Sequence, residues 1–211
     1  MQQGRNGKTV KQASTEKTID SKRPFNPARS ILYYLHDVVY FLVIIVIVLL
    51  TCFRVVVVSG DSMKRTLLDG DLLILISNTF YTDPQQGDII VASKDSFENG
   101  EPIIKRVIAL EGQEVDINFS TGAVYVDGKL LEETYISSRT TTDEGTSFPL
   151  VVDEGCVFVL GDNRIRSKDS RSQDIGLIDK REILGKAVLL VFPGTSKGEE
   201  SRSFERIGGL S

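Results

Sequence analysis

One histidine, two cysteines and no tryptophan occur in the chain. His36 alone provides no histidine cluster for a metal, and Cys52 with Cys156 make neither a four-cysteine zinc site nor a disulfide framework. Metal-ion and cofactor chemistry is therefore not expected, and a histidine-based triad has little room. A basic face is missing as well. The net charge is -4 and the isoelectric point about 5.2, so no nucleic-acid partner is expected. The 18 glycines and 6 prolines follow no period, which excludes collagen-like and low-complexity chains. What remains is 41% hydrophobic and 26% charged over 211 residues: one foldable domain with appendages.

The charge is unevenly spread. Residues 1–37 hold seven basic side chains against three acidic ones; the remainder holds 18 against 26. A basic head before an acidic body marks a topological boundary. At that boundary Val38–Phe53 runs sixteen residues without a charge. Counting from Leu32, and with Arg54 snorkelling at the far end, the run reaches the roughly 20 residues a membrane helix needs. Tyr33, Tyr34 and Tyr40 suit the interfacial aromatic belt. The positive flank comes first, so the N-terminus is expected in the cytoplasm and the body outside. Three competing readings fit less well. A buried soluble helix is rarely this rich in Ile, Leu and Val. A cleaved signal peptide needs a small-x-small site, and here Arg54 and four valines follow. Lipidation at Cys52 would place Thr51 before the modified residue, where it is a poor fit.

The expected organisation is a disordered basic cytoplasmic tail over 1–31, a transmembrane helix over 32–54, a β-rich body over 55–193 and a polar, fraying C-terminal tail over 194–211. Within the body, Leu72–Ser77, Asp88–Ala92, Ile103–Leu110, Ala123–Val126, Val157–Leu160 and Lys186–Phe192 are short apolar runs between turn signals. Val124 to Leu131 reads as a hairpin on the Asp127-Gly128 turn. Asp179–Leu184 reads as one short helix. The fold class is mainly β, an antiparallel sheet domain tethered by one N-terminal helix.

His36 is expected on the cytoplasmic side of the span, out of reach of the body, so hydrolysis falls to a serine activated by a lysine or to paired carboxylates. Ser62 follows the Val55–Val58 strand on a Ser59-Gly60-Asp61 turn that exposes its hydroxyl, and Gly60 allows close backbone approach. Its own N–H is a candidate oxyanion donor. Lys105 lies inside the apolar strand Ile103–Ile108. An amine with an ordinary value near 10.4 serves as a base only where burial brings it to roughly 7–8. Cys156 borders an apolar strand with no histidine to activate it and reads as structural. The polar run Gly161–Arg171 follows another strand and offers a serine to orient a lysine amine and an Asp–Arg pair to brace a loop. Each feature alone also fits an ordinary turn, strand lysine or solvated loop.

Together, these segments resemble bacterial type I signal peptidases, the Ser-Lys membrane proteases. Ser59-Gly60-Asp61-Ser62-Met63 with Thr66-Leu67, Gly87-Asp88-Ile89-Ile90, Lys105-Arg106-Val107 leading to Gly112, and Gly161–Arg171 stand in family order. The last matches G-D-N-R-x-x-S-x-D-S-R throughout. The resemblance implies Ser62 as nucleophile, Lys105 as base, Ser167 as the residue orienting the lysine, and Asp169 with Arg171 as structural support. By position it assigns Val56, Val58 and Ile104 to shallow pockets for small substrate side chains. It implies signal peptides at the membrane surface as substrates, the lipid bilayer as surroundings, and a small β subdomain over 113–155. Arg65 stands where the family usually has proline, so the backbone after Ser62 is expected to be looser or differently adapted. A self-cleaving SOS-type repressor would need a soluble DNA-binding domain, which the span replaces. An inactive assembly protein on the same fold would leave pre-protein uncut.

Overall fold

The computed structural model describes residues 27–94, 97, 100–195 and 202–210. Most of the expected N-terminal tail lies outside the described residues. Helix α1 (Pro27–Cys52) opens on a proline, whose missing N–H costs nothing in a first helical turn. Apart from His36 and Asp37 near its start, Ile31–Cys52 is predominantly apolar, with a mean hydropathy of 2.6 in its richest window and none of that window buried by protein. Those 22 residues rise about 33 Å, close to the thickness of a bilayer's hydrocarbon core. The chain divides into two compact units at Val43–Ile44, within this helix, and the second unit carries both sheets.

Helix gives way to strand at Phe53, where the chain first finds a strand to pair with. β1 (Phe53–Val57) pairs with β2 (Leu72–Ser77). The larger sheet also contains β3 (Ile89–Ala92), β4 (Ile103–Leu110), β9 (Cys156–Leu160), β10 (Ile178–Asp179), β11 (Ile183–Phe192) and β12 (Gly208–Gly209). Its order is β1-β2-β11-β3-β4-β9-β10 with β12 beside β11, and every pairing is antiparallel. A smaller antiparallel sheet has the order β7-β6-β5-β8, from β5 (Glu114–Asn118), β6 (Ala123–Val126), β7 (Lys129–Leu130) and β8 (Leu150–Val151). Asp127 and Gly128 both take positive φ, 51° and 71°, as a two-residue hairpin turn requires. The mainly β class with one N-terminal apolar helix is as expected.

The larger sheet is curled, and its middle strands are buried on both faces. In β3, Ile89 and Val91 enter one core cluster while Ile90 and Ala92 enter another. β4 contributes to three: Ile104 to the cluster beneath the Ser62 turn, Ile103 and Val107 to the second, and Ile108 and Ala109 to the third. The third also takes Val115, Ile117, Val124 and Val126 from the smaller sheet. Register shifts at Val107/Ala109 in β4 and at three points in β11 supply the bends that curling needs.

Two stretches differ from expectation. Asp179–Leu184 is not a helix of its own: only Lys180–Glu182 form a 3-10 turn, capped by Asp179, between β10 and β11. Residues 202–210 do not fray. They form a short 3-10 turn (Phe204–Arg206) and β12, because Arg206 finds a buried carboxylate, Asp71, and Leu210 finds apolar neighbours.

Candidate active site

Ser62 sits on a compact turn just past β1. The turn is anchored below by Met63 and Leu67, 1% and 0% exposed. Leu67 N donates to Met63 O and Lys64 N to Asp61 O. Gly60 takes φ +87°, yet a side chain there would meet nothing within 4 Å. It is the backbone conformation, not close approach as expected, that calls for glycine. Arg65 also takes positive φ, 93°, where a proline ring does not fit, and its guanidinium donates to Ile136 O at 2.8 Å. At this position the backbone takes a path closed to proline and is tethered through the Arg65 side chain.

Lys105 lies on β4 and is 5% exposed. Its Nζ donates to Ser62 Oγ at 3.1 Å and to Ile104 O at 3.0 Å. In the sheet order β1 and β4 lie four strand spacings apart, about 19 Å across a flat sheet. The curl is what closes that distance.

The Gly161–Arg171 loop grips the turn from the other side. Asn163 N donates to Ser62 O at 2.9 Å, and its Nδ2 to Asp61 O at 3.0 Å. Asp162 receives both arms of Arg106 at 2.9 Å, and its Oδ2 also accepts the Thr66 hydroxyl. Three of the four sequence motifs therefore meet on one carboxylate. Gly161 is squeezed between the site's parts: a Cβ there would come 2.2 Å from Ser167 Oγ and 2.6 Å from Ser62 O. Ser167 is buried, and its Oγ donates to Lys168 O at 3.4 Å. Asp169 and Arg171 form a fully buried pair at 2.8 and 2.9 Å; Asp169 also accepts Gly161 N, and Arg171 donates to the carbonyls of Arg164 and Ser167. Burial opposes the Arg171 charge, but the Asp169 carboxylate outweighs it and holds that pKa above the ordinary arginine value.

A groove of about 520 Å³ runs past the serine. Val56, Val58, Ile104, Ser62 and Lys105 all line it; Ser167 lies beside Gly161 near the Ser62 carbonyl, and Asp169 with Arg171 hold the Gly161–Arg171 loop from within. The sequence reading missed Phe97, Arg166 and Lys168 on the groove wall. It also missed Arg106–Asp162 as a brace, although both lie in the motifs. Cys156 is on β9, its thiol pushed up by burial. His36 is in α1, its ring 4.7 Å from that of Tyr40.

The family described as signal peptidase, peptidase S26, matches residues 31–192. The chain belongs to that family. It is 32% identical over 176 residues to Signal peptidase I of Bacillus licheniformis, covering 80% of this chain and 92% of that protein. Similarity to the Probable signal peptidase I-1 of Synechocystis sp. is 38% over 150 residues, covering 67% and 72%. A solved signal peptidase I from Enterococcus faecalis V583 overlaps 49% of this chain and 96% of its own, at 32% identity and a TM-score of 0.41. This family member is a serine endopeptidase that removes signal peptides, and α1 is its membrane anchor.

Proposed function

We propose that Ser62 is the nucleophile of this peptidase and Lys105 its general base. The single observation that carries the proposal is the 3.1 Å contact between Lys105 Nζ and Ser62 Oγ at a buried wall of the groove. Burial disfavours the ammonium form, and a neutral amine at that distance accepts the hydroxyl proton. Ser62 Oγ then forms a bond to the scissile carbonyl carbon. Lys105 passes the proton to the leaving amine as the C–N bond breaks, leaving an acyl-ester on Ser62. A water deprotonated by Lys105 attacks that ester, and the proton returns to Ser62 Oγ. The Ser62 N–H, which has no acceptor among the described residues, serves as oxyanion donor. Ser167 orients the amine, and Asp169 with Arg171 hold the loop that carries it.

Val56, Val58 and Ile104 accept small side chains that precede the cut. The substrate is an exported precursor presented at the bilayer. Residues 1–31 form the cytoplasmic tail, 32–54 the span and 55–193 the extracytoplasmic domain with its 113–155 subdomain. What supports this topology is the basic head and the five-residue strand joining α1 to the Ser62 turn.

Cleavage of a model pre-protein, with N-terminal sequencing of the product, tests the assignment. Ser62→Ala should abolish cutting, and Lys105→Ala should lower kcat by about 10²–10⁴-fold, both with unchanged thermal melting. Wild-type cutting by either variant would refute the roles given.

A further inference from the structure

The family match ends at Phe192, yet the chain beyond it returns to the Ser62 turn. We propose that the C-terminal segment, residues 202–210, is a positioning element for the nucleophile, acting through Arg206. The proposal rests on Ser62 as nucleophile.

Asp71 is fully buried at the start of β2. Arg206 binds it with both arms, Nη1 to Oδ1 at 2.9 Å and Nη2 to Oδ2 at 2.6 Å. The same Nη2 donates to Thr66 O at 3.2 Å. Asp71 in turn accepts Leu68 N at 2.7 Å and Gly194 N at 2.6 Å, and its own carbonyl accepts Val58 N at 2.8 Å. One ion pair therefore fixes the chain on both sides of Ser62: Val58 before it, Thr66 and Leu68 after it. Leu210 adds an apolar contact to the cluster that holds Met63 and Leu67.

The segment is held in place independently of this contact. β12 pairs with Leu189 and Leu190 of β11, and the Phe204 ring meets Phe192 edge-on. A buried carboxylate stripped of its cation must move or gain a proton. Here either response releases the hydrogen bonds that set the turn. A nucleophile displaced by a fraction of an ångström from its base loses rate, while the groove walls that β1, β4, Phe97, Arg166 and Lys168 contribute still bind.

Full-length protein in detergent micelles, with a model pre-protein as substrate, tests the idea by kcat, KM and melting temperature. Arg206→Ala should lower kcat by about tenfold or more with KM changed by less than about twofold. Arg206→Lys keeps the charge on Asp71 but not both contacts, and should recover kcat in part. Arg202→Ala, on the same segment but away from the turn, should retain wild-type kcat. Wild-type kcat in Arg206→Ala, or equal losses in Arg206→Ala and Arg202→Ala, would overturn the inference. If Arg206→Ala does not fold, Arg206→Lys decides: wild-type kcat there counts against it. Wild type and Ser62→Ala run alongside. If Ser62→Ala still cuts, the nucleophile assignment itself has failed; if it does not cut while Arg206→Ala cuts normally, only the positioning role has.

Discussion

Arg65 takes a backbone conformation that L-residues visit at a cost of roughly 1–2 kcal/mol, and its hydrogen bond to Ile136 O offsets part of that. Proline would demand φ near −65° at the same place. Arg65→Pro, a change toward the usual family residue, should therefore lower the melting temperature rather than raise it, by more than about 1 kcal/mol in stability. An unchanged or higher melting temperature would contradict the turn described. Glu144 makes a second residue-scale case. One of its oxygens lies 3.4 Å from Arg171, while Oε2 is buried with no partner among the described residues. Burial first, then the Asp169 charge, push its carboxyl pKa up against the pull of Arg171. The carboxyl therefore keeps its proton to a higher pH in the folded chain than in the unfolded one. Its contribution is favourable below the ordinary glutamate value near 4.3 and is lost as pH rises through the raised one. Glu144→Gln should raise the melting temperature at pH 7, and the gain should vanish on acidification below about pH 4. A gain that persists in acid would show that shape, not charge, is responsible.

At the scale of elements, most strands readable in the sequence have apolar runs buried on one or both faces; β1 and β7, both largely exposed, were legible from their valines and from the Asp-Gly turn instead. β2, β4 and β6 coincide with their runs, and β3 and β9 differ by one residue. β5 went unread although Glu114–Asn118 alternates exposed and buried, because two apolar residues between charged ones are a weak signal. The C-terminal segment was read as a fraying tail from its polarity. Its decisive partner, Asp71, is 135 residues away, and local composition carries no trace of such a distance. The candidate site was legible by residue type and motif order, down to Ser62, Lys105, Ser167, Asp169 and Arg171. Their convergence was not, since it depends on how far the sheet curls between β1 and β4. Gly161 shows the same limit: in the sequence it is one more turn glycine, whereas in the fold it is the only residue that fits between Ser167 and the Ser62 carbonyl.

For the molecule as a whole, β4 is the shared element. It carries Lys105, hands Arg106 to Asp162, and places side chains in all three core clusters. Amide hydrogens of buried central strands exchange only when the whole fold opens. The β4 amides, from Ile103 to Leu110, should therefore exchange with the free energy of global unfolding, whereas those of β7 and β12, each two residues long, should exchange through local opening. Early exchange along β4 would show that the three clusters come apart separately. A strand committed to three cores at once also sets the manner of thermal failure. On heating, Lys105 should therefore keep its place on β4 until the three clusters go, so that the base is lost in the same cooperative event that dissolves the domain.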